Sequence, residues 1–190
     1  MCVLCWFRFK KRWDYIATEV GAFSADVVGS NQKYLYEVEI KVTKPDFLAD
    51  FKKSKHHIYK ELEHKPFGYS VGGWSKNWIP NKFFFCVPEH MVEFALKKLE
   101  AHPKYGLVTV VFKDWWSNPE IKTIKQAKFL HKQPTHKKAL ECILLRMSSE
   151  ICGHYIKDEA ERNKKQLVNK FIEHVTGKSV VKQKLKKVKK

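Results

Sequence analysis

The chain has 190 residues, enough for one domain with a sizeable core and too few for several large domains. Hydrophobic residues make up 44% and aromatic residues 14%, which excludes an intrinsically disordered chain. The formal net charge of +17 favours a polyanionic partner, with an anionic membrane surface as the weaker alternative. No apolar run approaches the roughly 20 residues of a membrane-spanning helix, so we expect a soluble protein and no membrane partner.

Cysteine usage indicates a reducing compartment. The five cysteines are odd in number, widely scattered and not preceded by a secretory signal, so we expect reduced thiols in a cytoplasmic protein. Cys2 and Cys5 form a CxxC, but no second pair lies at zinc-ribbon spacing. We therefore interpret these two residues as part of a buried apolar segment.

The first third of the chain predicts a meander of three antiparallel strands. Residues 2–12 are apolar and then basic, which leaves a short helix and an edge strand both open. Strands are predicted at 13–20, 25–29 and 34–42, with a turn cluster at 29–33. In the third strand, tyrosine and β-branched residues alternate with Leu35, Glu37, Glu39 and Lys41, which predicts one buried face and one polar face.

A helix is predicted over residues 43–63. Pro45 and Asp46 suit its first turn, because proline needs no partner for an N–H there and a carboxylate complements the helix dipole. Asp50, Lys53 and His57 recur at helical spacing on one polar face, and they are candidates for a nearby site or for a solvated surface.

The region that follows predicts a loop and then a crossover unit. Residues 64–81 are rich in glycine and aromatic residues, and Trp74 and Trp78 are candidates either for stacking on nucleic-acid bases or for covering the core. A strand at 83–87, a helix at 89–101 and a strand at 107–112 form the pattern that gives parallel pairing.

The C-terminal part predicts helices at 134–155 and 158–175, followed by a basic tail. Residues 178–190 contain seven lysines and no acidic residue, so we expect a disordered tail that contacts phosphates, with Lys184, Lys186 and Lys187 as candidates. The predicted organisation is one α/β domain over residues 1–177, with its core at about 13–150, and this tail.

Three acidic residues and a lysine are predicted to share one face of the sheet. If residues 30–33 form the turn, Asp26 lies opposite Glu37, and Glu39 is its diagonal neighbour, roughly 7–8 Å away. Clustered carboxylates repel, and a divalent cation would compensate them. Oxygen-only ligands favour Mg²⁺ or Mn²⁺.

These residue types suit phosphodiester hydrolysis. A cation held by two carboxylates polarises a phosphate and lowers the pKa of bound water, and a neighbouring lysine such as Lys41 stabilises developing charge. The alternative is an ordinary solvated strand face held by cross-strand ion pairs, which the E-x-E-x-K pattern alone also fits.

The order of these motifs resembles the PD-(D/E)XK nuclease superfamily, the restriction-endonuclease-like fold. The similarity covers about residues 13–150. It is carried by Asp26-Val27-Val28-Gly29, Glu39-Ile40-Lys41-Val42, the helix that begins near Asp46, and the apolar strand 83–87. Among its members the chain is most similar to small bacterial and phage proteins, the MmcB-like DNA-repair proteins, which implies a bacterial cell or a phage-infected host.

The resemblance implies a mixed central sheet, an antiparallel meander plus a parallel strand, flanked by helices. It also implies that Asp26, Glu39 and the carbonyl of Ile40 bind Mg²⁺ and that Lys41 is catalytic. Many members add a glutamate from an N-terminal helix. Residues 1–12 contain no acid, so Glu19 is the candidate here, with Asp14 as the alternative.

The sequence therefore predicts a magnesium-dependent deoxyribonuclease that acts in DNA repair, recombination or phage DNA processing. DNA is the expected substrate, RNA is a second candidate, and a homodimer is compatible with the fold. Lys52 and Lys55 are candidates for nucleic-acid contact, while Glu37 is expected to be a neighbour of the metal site. The alternatives are a nucleic-acid-binding protein without catalysis and a basic adaptor that binds a protein partner.

Overall fold

The computed structural model describes residues 2–62, 78–112 and 119–176 of the 190-residue chain. Its helices are α1 (Cys2–Cys5), which continues as a π-helical segment (Trp6–Lys10), then α2 (Lys44–Asp50), α3 (Ser54–Glu61), α4 (Val92–Lys98) and α5 (Lys137–Thr176). Its strands are β1 (Tyr15–Val20), β2 (Ala25–Ser30), β3 (Leu35–Ile40), β4 (Lys82–Pro88), β5 (Gly106–Val111) and β6 (Glu120–Lys125).

The six strands form one mixed sheet in the order β1-β2-β3-β4-β5-β6. Strands β1, β2 and β3 pair antiparallel, β3, β4 and β5 pair parallel, and β6 returns antiparallel along β5. The predicted α/β class is confirmed, as are the antiparallel meander and the parallel pairing that follows it. The crossovers contain α2 with α3 and then α4, as parallel neighbours require.

The hairpin between β2 and β3 has a different register from the predicted one. Ser30 pairs with Leu35, and Val28 pairs with Glu37, so the turn comprises residues 31–34 and not 30–33. The side chain of Asn31 accepts a hydrogen bond from Tyr34 N at 2.8 Å, and Ser30 Oγ accepts one from Gln32 N at 3.1 Å. These side-chain hydrogen bonds stabilise a turn at residues 31–34, which begins one residue later than the predicted turn.

Both faces of the sheet are covered, so the polar face of β3 is buried as well as the face predicted to be buried. On the first face, α2, α3 and α4 bury a cluster around the β4 residues Phe83, Phe85 and Val87. On the second face, the N-terminal segment packs on Phe84 and Cys86. Glu37 and Glu39 lie beside Phe83 and Phe85 in the parallel register and are therefore on the first face.

The N-terminal segment is helical, which decides between the two alternatives that the sequence left open. Trp6 and Phe7 are buried against the second face of the sheet. A Cβ atom added at Gly29 would lie 2.6 Å from the Phe7 ring. A glycine at this position of β2 therefore allows the segment to approach the sheet.

Three other elements differ from the prediction. The helix expected over 43–63 is interrupted between α2 and α3, where Lys53 has an extended backbone. Strand β6 is absent from the predicted elements, because Ile121 and Ile124 are three residues apart and Glu120–Lys125 therefore lacks the period-two alternation of a strand. The two expected C-terminal helices are one helix, α5, because residues 156 and 157, between the two predicted helices, include no helix breaker.

The chain divides into two compact units, Met1–Met147 and Ser148–Lys190. The first contains the sheet and the second consists, in its described part, of helix α5 from Ser148 onward. Among the described residues, no helix combines the length and the apolar composition needed to cross a membrane. The basic tail at 178–190 lies outside the described residues, and the single domain over 1–177 stays a prediction.

Asn81 joins the start of β4 to two other parts of the first unit, and its removal should destabilise the fold. It is fully buried, its Oδ1 accepts a hydrogen bond from Leu35 N at 2.7 Å, and its Nδ2 donates to Gln133 O at 2.7 Å and His131 O at 3.1 Å. We expect Asn81→Ala to lower the free energy of unfolding by about 2–4 kcal/mol in urea denaturation, because it leaves buried backbone groups unpaired. The exposed Asn169→Ala is the matched control, and equal effects of the two substitutions would contradict this role.

Candidate active site

The site lies on the first face of the sheet, where β3 ends between β2 and β4. Asp26 of β2 accepts a hydrogen bond from the backbone N–H of Ile40 through Oδ2 at 2.7 Å. Continuing the observed register by one residue beyond the pair of Val27 and Val38 places Asp26 opposite Glu39 and not opposite Glu37. The predicted register is wrong by two residues, but a shift of two leaves these side chains on one face.

Lys41 is the centre of a ring of carboxylates. Its Nζ lies 2.8 Å from Glu39 Oε2 and 2.9 Å from Asp50 Oδ1, and it lies 3.9 Å from Asp26 Oδ2 and 4.0 Å from Asp46 Oδ1. Burial lowers the pKa of Lys41, but its bonds to Glu39 and Asp50 outweigh burial and raise that pKa above its usual value. Lys41 is therefore a fixed positive charge between the carboxylates.

Glu39 is fully buried, and both of its oxygens bind ammonium groups. Lys55 contacts Oε1, while Lys41 and Lys53 contact Oε2 at 2.8 Å and 3.1 Å. Burial raises the pKa of Glu39, but the charge of Lys55 and the hydrogen bonds from Lys41 and Lys55 lower it by more. The net shift of the pKa is therefore downward. Glu39 is ionised despite its burial because three cations compensate it.

Asp50 extends the network into the core. Its Oδ1 contacts Lys53 at 2.5 Å as well as Lys41 at 2.9 Å. Its Oδ2 lies 2.7 Å from His56 Nε2, and His56 Nδ1 lies 2.9 Å from the hydroxyl of Tyr105. Burial raises the pKa of Asp50, but the bonds to His56 and the lysines outweigh burial and hold it well below its usual range.

His56 links the charged cluster to the apolar core. Burial lowers its pKa more strongly than Asp50 raises it, so the ring is neutral near pH 7. A neutral ring that donates from Nε2 to Asp50 accepts at Nδ1 from Tyr105. This chain of bonds fixes the carboxylate of Asp50 and, through it, the position of Lys41.

Glu37 forms the deepest part of the cluster and is a neighbour of the site, as expected. It is fully buried, accepts a hydrogen bond from Lys55 Nζ at 2.6 Å and accepts another from Tyr59 at 2.8 Å. Burial raises the pKa of Glu37 to about 7 against the lowering effect of Lys55. A group without solvent access at this depth supports the structure and does not contact a substrate.

Lysines supply the charge compensation that the sequence analysis assigned to a metal ion. Four carboxylates, those of Asp26, Glu37, Glu39 and Asp50, each lie within 3.9 Å of at least one of the three ammonium groups of Lys41, Lys53 and Lys55. Among the described residues, no group of three or more histidines, cysteines and acidic residues has an arrangement that could hold a metal ion. Charge repulsion alone therefore does not establish a metal ion here, and the metal site stays a prediction.

The donor set nevertheless fits a small cation that prefers oxygen. The carboxylates of Asp26 and Glu39 are close enough that the charge of Glu39 raises the pKa of Asp26. The side chain of Asp26 is 44% exposed. Burial, more than Glu39, raises the pKa of Asp26. Of the three ammonium groups at Glu39, that of Lys53 is the most exposed, at 40%, and without it only Lys41 would contact Oε2.

Several predicted site residues lie elsewhere. The carboxylate of Glu19 is 80% exposed and pairs with Arg146 at 3.1 Å, and Asp14 pairs with Arg8 at 2.8 Å. His57 is exposed, because the interruption between α2 and α3 turns His56 inward in its place. The periodicity of an unbroken helix therefore selected the wrong histidine.

The residues predicted to contact nucleic acid also separate into different groups. Lys52 is exposed, but Lys55 is 1% exposed and bound to Glu37 and Glu39, so its assignment to phosphate contact is wrong. Trp78 packs edge-on against Phe23 at 5.4 Å, which favours the alternative that it covers the core. Trp74 and the tail residues Lys184, Lys186 and Lys187 lie outside the described residues.

Sequence reasoning missed His56, Tyr59 and Tyr105 as members of the network. Tyr59 and Tyr105 are fully buried aromatic residues in the first core cluster, and they look like ordinary core positions in the sequence. A signal did exist for α3, since Tyr59 lies three residues after His56 and four after Lys55, which makes it a neighbour of both on the helix surface. Only the position where the helix restarts shows that this face points inward.

Comparison with known proteins adds a distant structural similarity. A protein of unknown function from Silicibacter pomeroyi is similar over 74% of this chain and 72% of its own, with 18% sequence identity and a TM-score of 0.41. No protein-family model and no curated protein matches the sequence.

The buried carboxyl of Glu37 should make stability depend on pH. A folded pKa of about 7 against 4.5 when exposed means that its contribution is fully present below pH 4.5 and is lost as the pH rises through 7. The wild type should therefore lose about 2–3 kcal/mol relative to Glu37→Gln between pH 4.5 and pH 8. Urea denaturation in EDTA at both pH values measures this difference. The exposed Glu89→Gln is the control, and parallel pH profiles of Glu37→Gln and wild type would contradict it.

Proposed function

We propose that the protein is a metal-dependent nuclease of the PD-(D/E)XK type that hydrolyses phosphodiester bonds of DNA. The observation that carries the proposal is the convergence of Asp26, Glu39 and Lys41 at one end of β3. The lysine ammonium lies 2.8 Å from one carboxylate and 3.9 Å from the other. The partly exposed carboxylate of Asp26 marks the side from which a substrate approaches.

In this proposal, Asp26, Glu39 and the backbone carbonyl of Ile40 would hold a Mg²⁺ or Mn²⁺ ion. When bound, such an ion polarises a phosphate and lowers the pKa of water. Lys41 supplies a fixed positive charge and three hydrogen-bond donors, which suit the charge that develops on phosphate oxygens. Asp50 keeps Lys41 in place, and the bond from Ile40 N orients Asp26. The proposed setting is the cytoplasm of a bacterial or phage-infected cell, in DNA repair, recombination or phage DNA processing.

A nucleic-acid-binding protein without catalysis is the second candidate. It is favoured by the burial of Glu39 and by the three ammonium groups that bind its two oxygens, since together they leave a metal ion no free oxygen on that residue. In that case the cluster is a buried ion-pair network that fixes β3 against α3. The two candidates differ in whether a divalent cation can displace Lys53.

Cleavage assays test the nuclease directly. We expect labelled single-stranded, duplex or branched DNA to be cut with Mg²⁺ or Mn²⁺ and not with EDTA. Asp26→Asn and Lys41→Ala should each lower the rate by roughly 100-fold or more, because each removes a group that contacts the metal or the reacting phosphate. Asp26→Asn keeps an oxygen acceptor for Ile40 N and therefore preserves the local fold.

The controls for this assay are residues of the same charge outside the cluster. Asp14→Asn and Lys97→Ala change the net charge equally and should retain full activity. Cleavage that persists in EDTA or in both site variants would contradict the mechanism. Tight binding of every substrate without cleavage would favour the second candidate.

Lys53 should compete with the metal ion for Glu39 and Asp50. We expect Lys53→Gln to tighten Mn²⁺ binding roughly tenfold, because it removes a positive charge that lies within 3.1 Å of both carboxylates. Solvent screens this charge only partly. Lys52→Gln removes the same charge from the neighbouring exposed position and should leave the affinity within about twofold. Titration calorimetry measures both affinities without relying on activity, and equal shifts in the two variants would show that Lys53 does not occupy the cation position.

A further inference from the structure

A second group of lysines lies on the sheet face opposite the carboxylates. Tyr36 of β3 and Lys82 of β4 are partners in the parallel register. Tyr36 packs against Trp13 at 4.5 Å and Phe84 at 5.8 Å, which belong to the second core cluster. The side chains therefore lie on the face turned away from Glu37 and Glu39, so this group is separate from the candidate active site.

The ammonium groups of this surface lie over aromatic rings. Lys82 Nζ is 4.6 Å from the ring centre of Phe129 and 5.4 Å from that of Tyr36. Lys33 lies 5.3 Å from the ring of Tyr34, and the rings of Tyr34 and Phe129 are 5.1 Å apart. The rings of Tyr34 and Phe129 are only partly buried, so aromatic surface and positive charge are exposed together.

Lys11 adds a further charge beside this surface. It lies 5.0 Å from the ring of Trp6 and close enough to Lys82 for the two charges to repel. Burial, and then the charge of Lys11, lowers the pKa of Lys82. We name the set Lys11, Lys33, Tyr34, Lys82 and Phe129 the basic aromatic surface.

No carboxylate of the described residues pairs with Lys11, Lys33 or Lys82. Lys41, Lys53 and Lys55 differ in this respect, since each contacts at least two carboxylates. Ammonium groups that lie over aromatic rings and have no carboxylate partner within the described part of the chain form a site for an external anion. The adjacent partly exposed rings add a preference for a ligand with planar groups.

We propose that the basic aromatic surface binds single-stranded nucleic acid. Its lysines would contact successive phosphates, and Tyr34 and Phe129 would stack on unpaired bases, which a duplex does not present. The inference rests on the proposed function only in that both involve a nucleic acid. Because the surface lies on the other face of the sheet, it would hold a strand apart from the cutting site.

Binding of fluorescent oligothymidylate in EDTA tests the proposal without any cleavage. Replacing Lys11, Lys33 and Lys82 together by Gln should weaken binding roughly 100-fold at 0.1 M salt and reduce the slope of log K against log salt by about 2, since each phosphate contact contributes about 0.7 for single strands. Replacing Lys60, Lys97 and Lys98 of α3 and α4 by Gln removes the same charge from the opposite face and is the matched control. Equal losses in the two triple variants would overturn the proposal.

Phe129→Leu separates stacking from charge. It should weaken binding of the single strand roughly tenfold, leave the salt slope unchanged, and have little effect on a duplex of the same length. The exposed Phe112→Leu is the control, and urea denaturation checks that both variants are folded. Equal losses of affinity for single strand and duplex would overturn the assignment. Binding of phosphatidylserine vesicles is measured in parallel, and an effect of the three lysine substitutions on vesicle binding alone would also overturn it. Variants of this surface should lose binding of single strands in EDTA, whereas Asp26→Asn and Lys41→Ala should lose cleavage and keep that binding. This difference distinguishes a failure of the inference from a failure of the proposed function.

Discussion

The ion pairing of Glu37 and Glu39 with Lys55 is the constraint on which the first face of the sheet depends. Both carboxylates are fully buried on β3, and the ammonium of Lys55 contacts both of them and the carbonyl of Ser24. A buried charge without a partner is far more costly than a lost apolar contact. Helix α3 must therefore pack with Lys55 toward β3, and this requirement places His56 and Tyr59 in the core.

The cluster changes in character from its buried end to its exposed end. Glu37 has no solvent access and a raised pKa, whereas Glu39 is equally buried but ionised through three cations. Asp26 is nearly half exposed, and Lys53 lies at the boundary with solvent. The buried end stabilises the fold, and only the exposed end is placed to exchange a lysine for a metal ion. One network thus supports a structural role and, in our proposal, a chemical one.

The positive charge of the chain is divided between two uses. On the first face, Lys41, Lys53 and Lys55 are bound to buried carboxylates. On the second face, Lys11, Lys33 and Lys82 have aromatic contacts and no carboxylate partner among the described residues. Net charge alone does not separate these groups, because it counts a paired and an unpaired lysine equally.

The sequence by itself determined the strands of the meander, the parallel crossover, and the shared face of Asp26, Glu39 and Lys41. Period-two alternation is a local property, and a register error of two residues preserves the face of every side chain. The tertiary structure decided which lysines are buried, which histidine points inward and how the carboxylates are compensated. Those outcomes depend on a helix interruption near Lys53 and on packing between distant segments, as in the bond from His56 to Tyr105. Neither is encoded in the periodicity of any single segment.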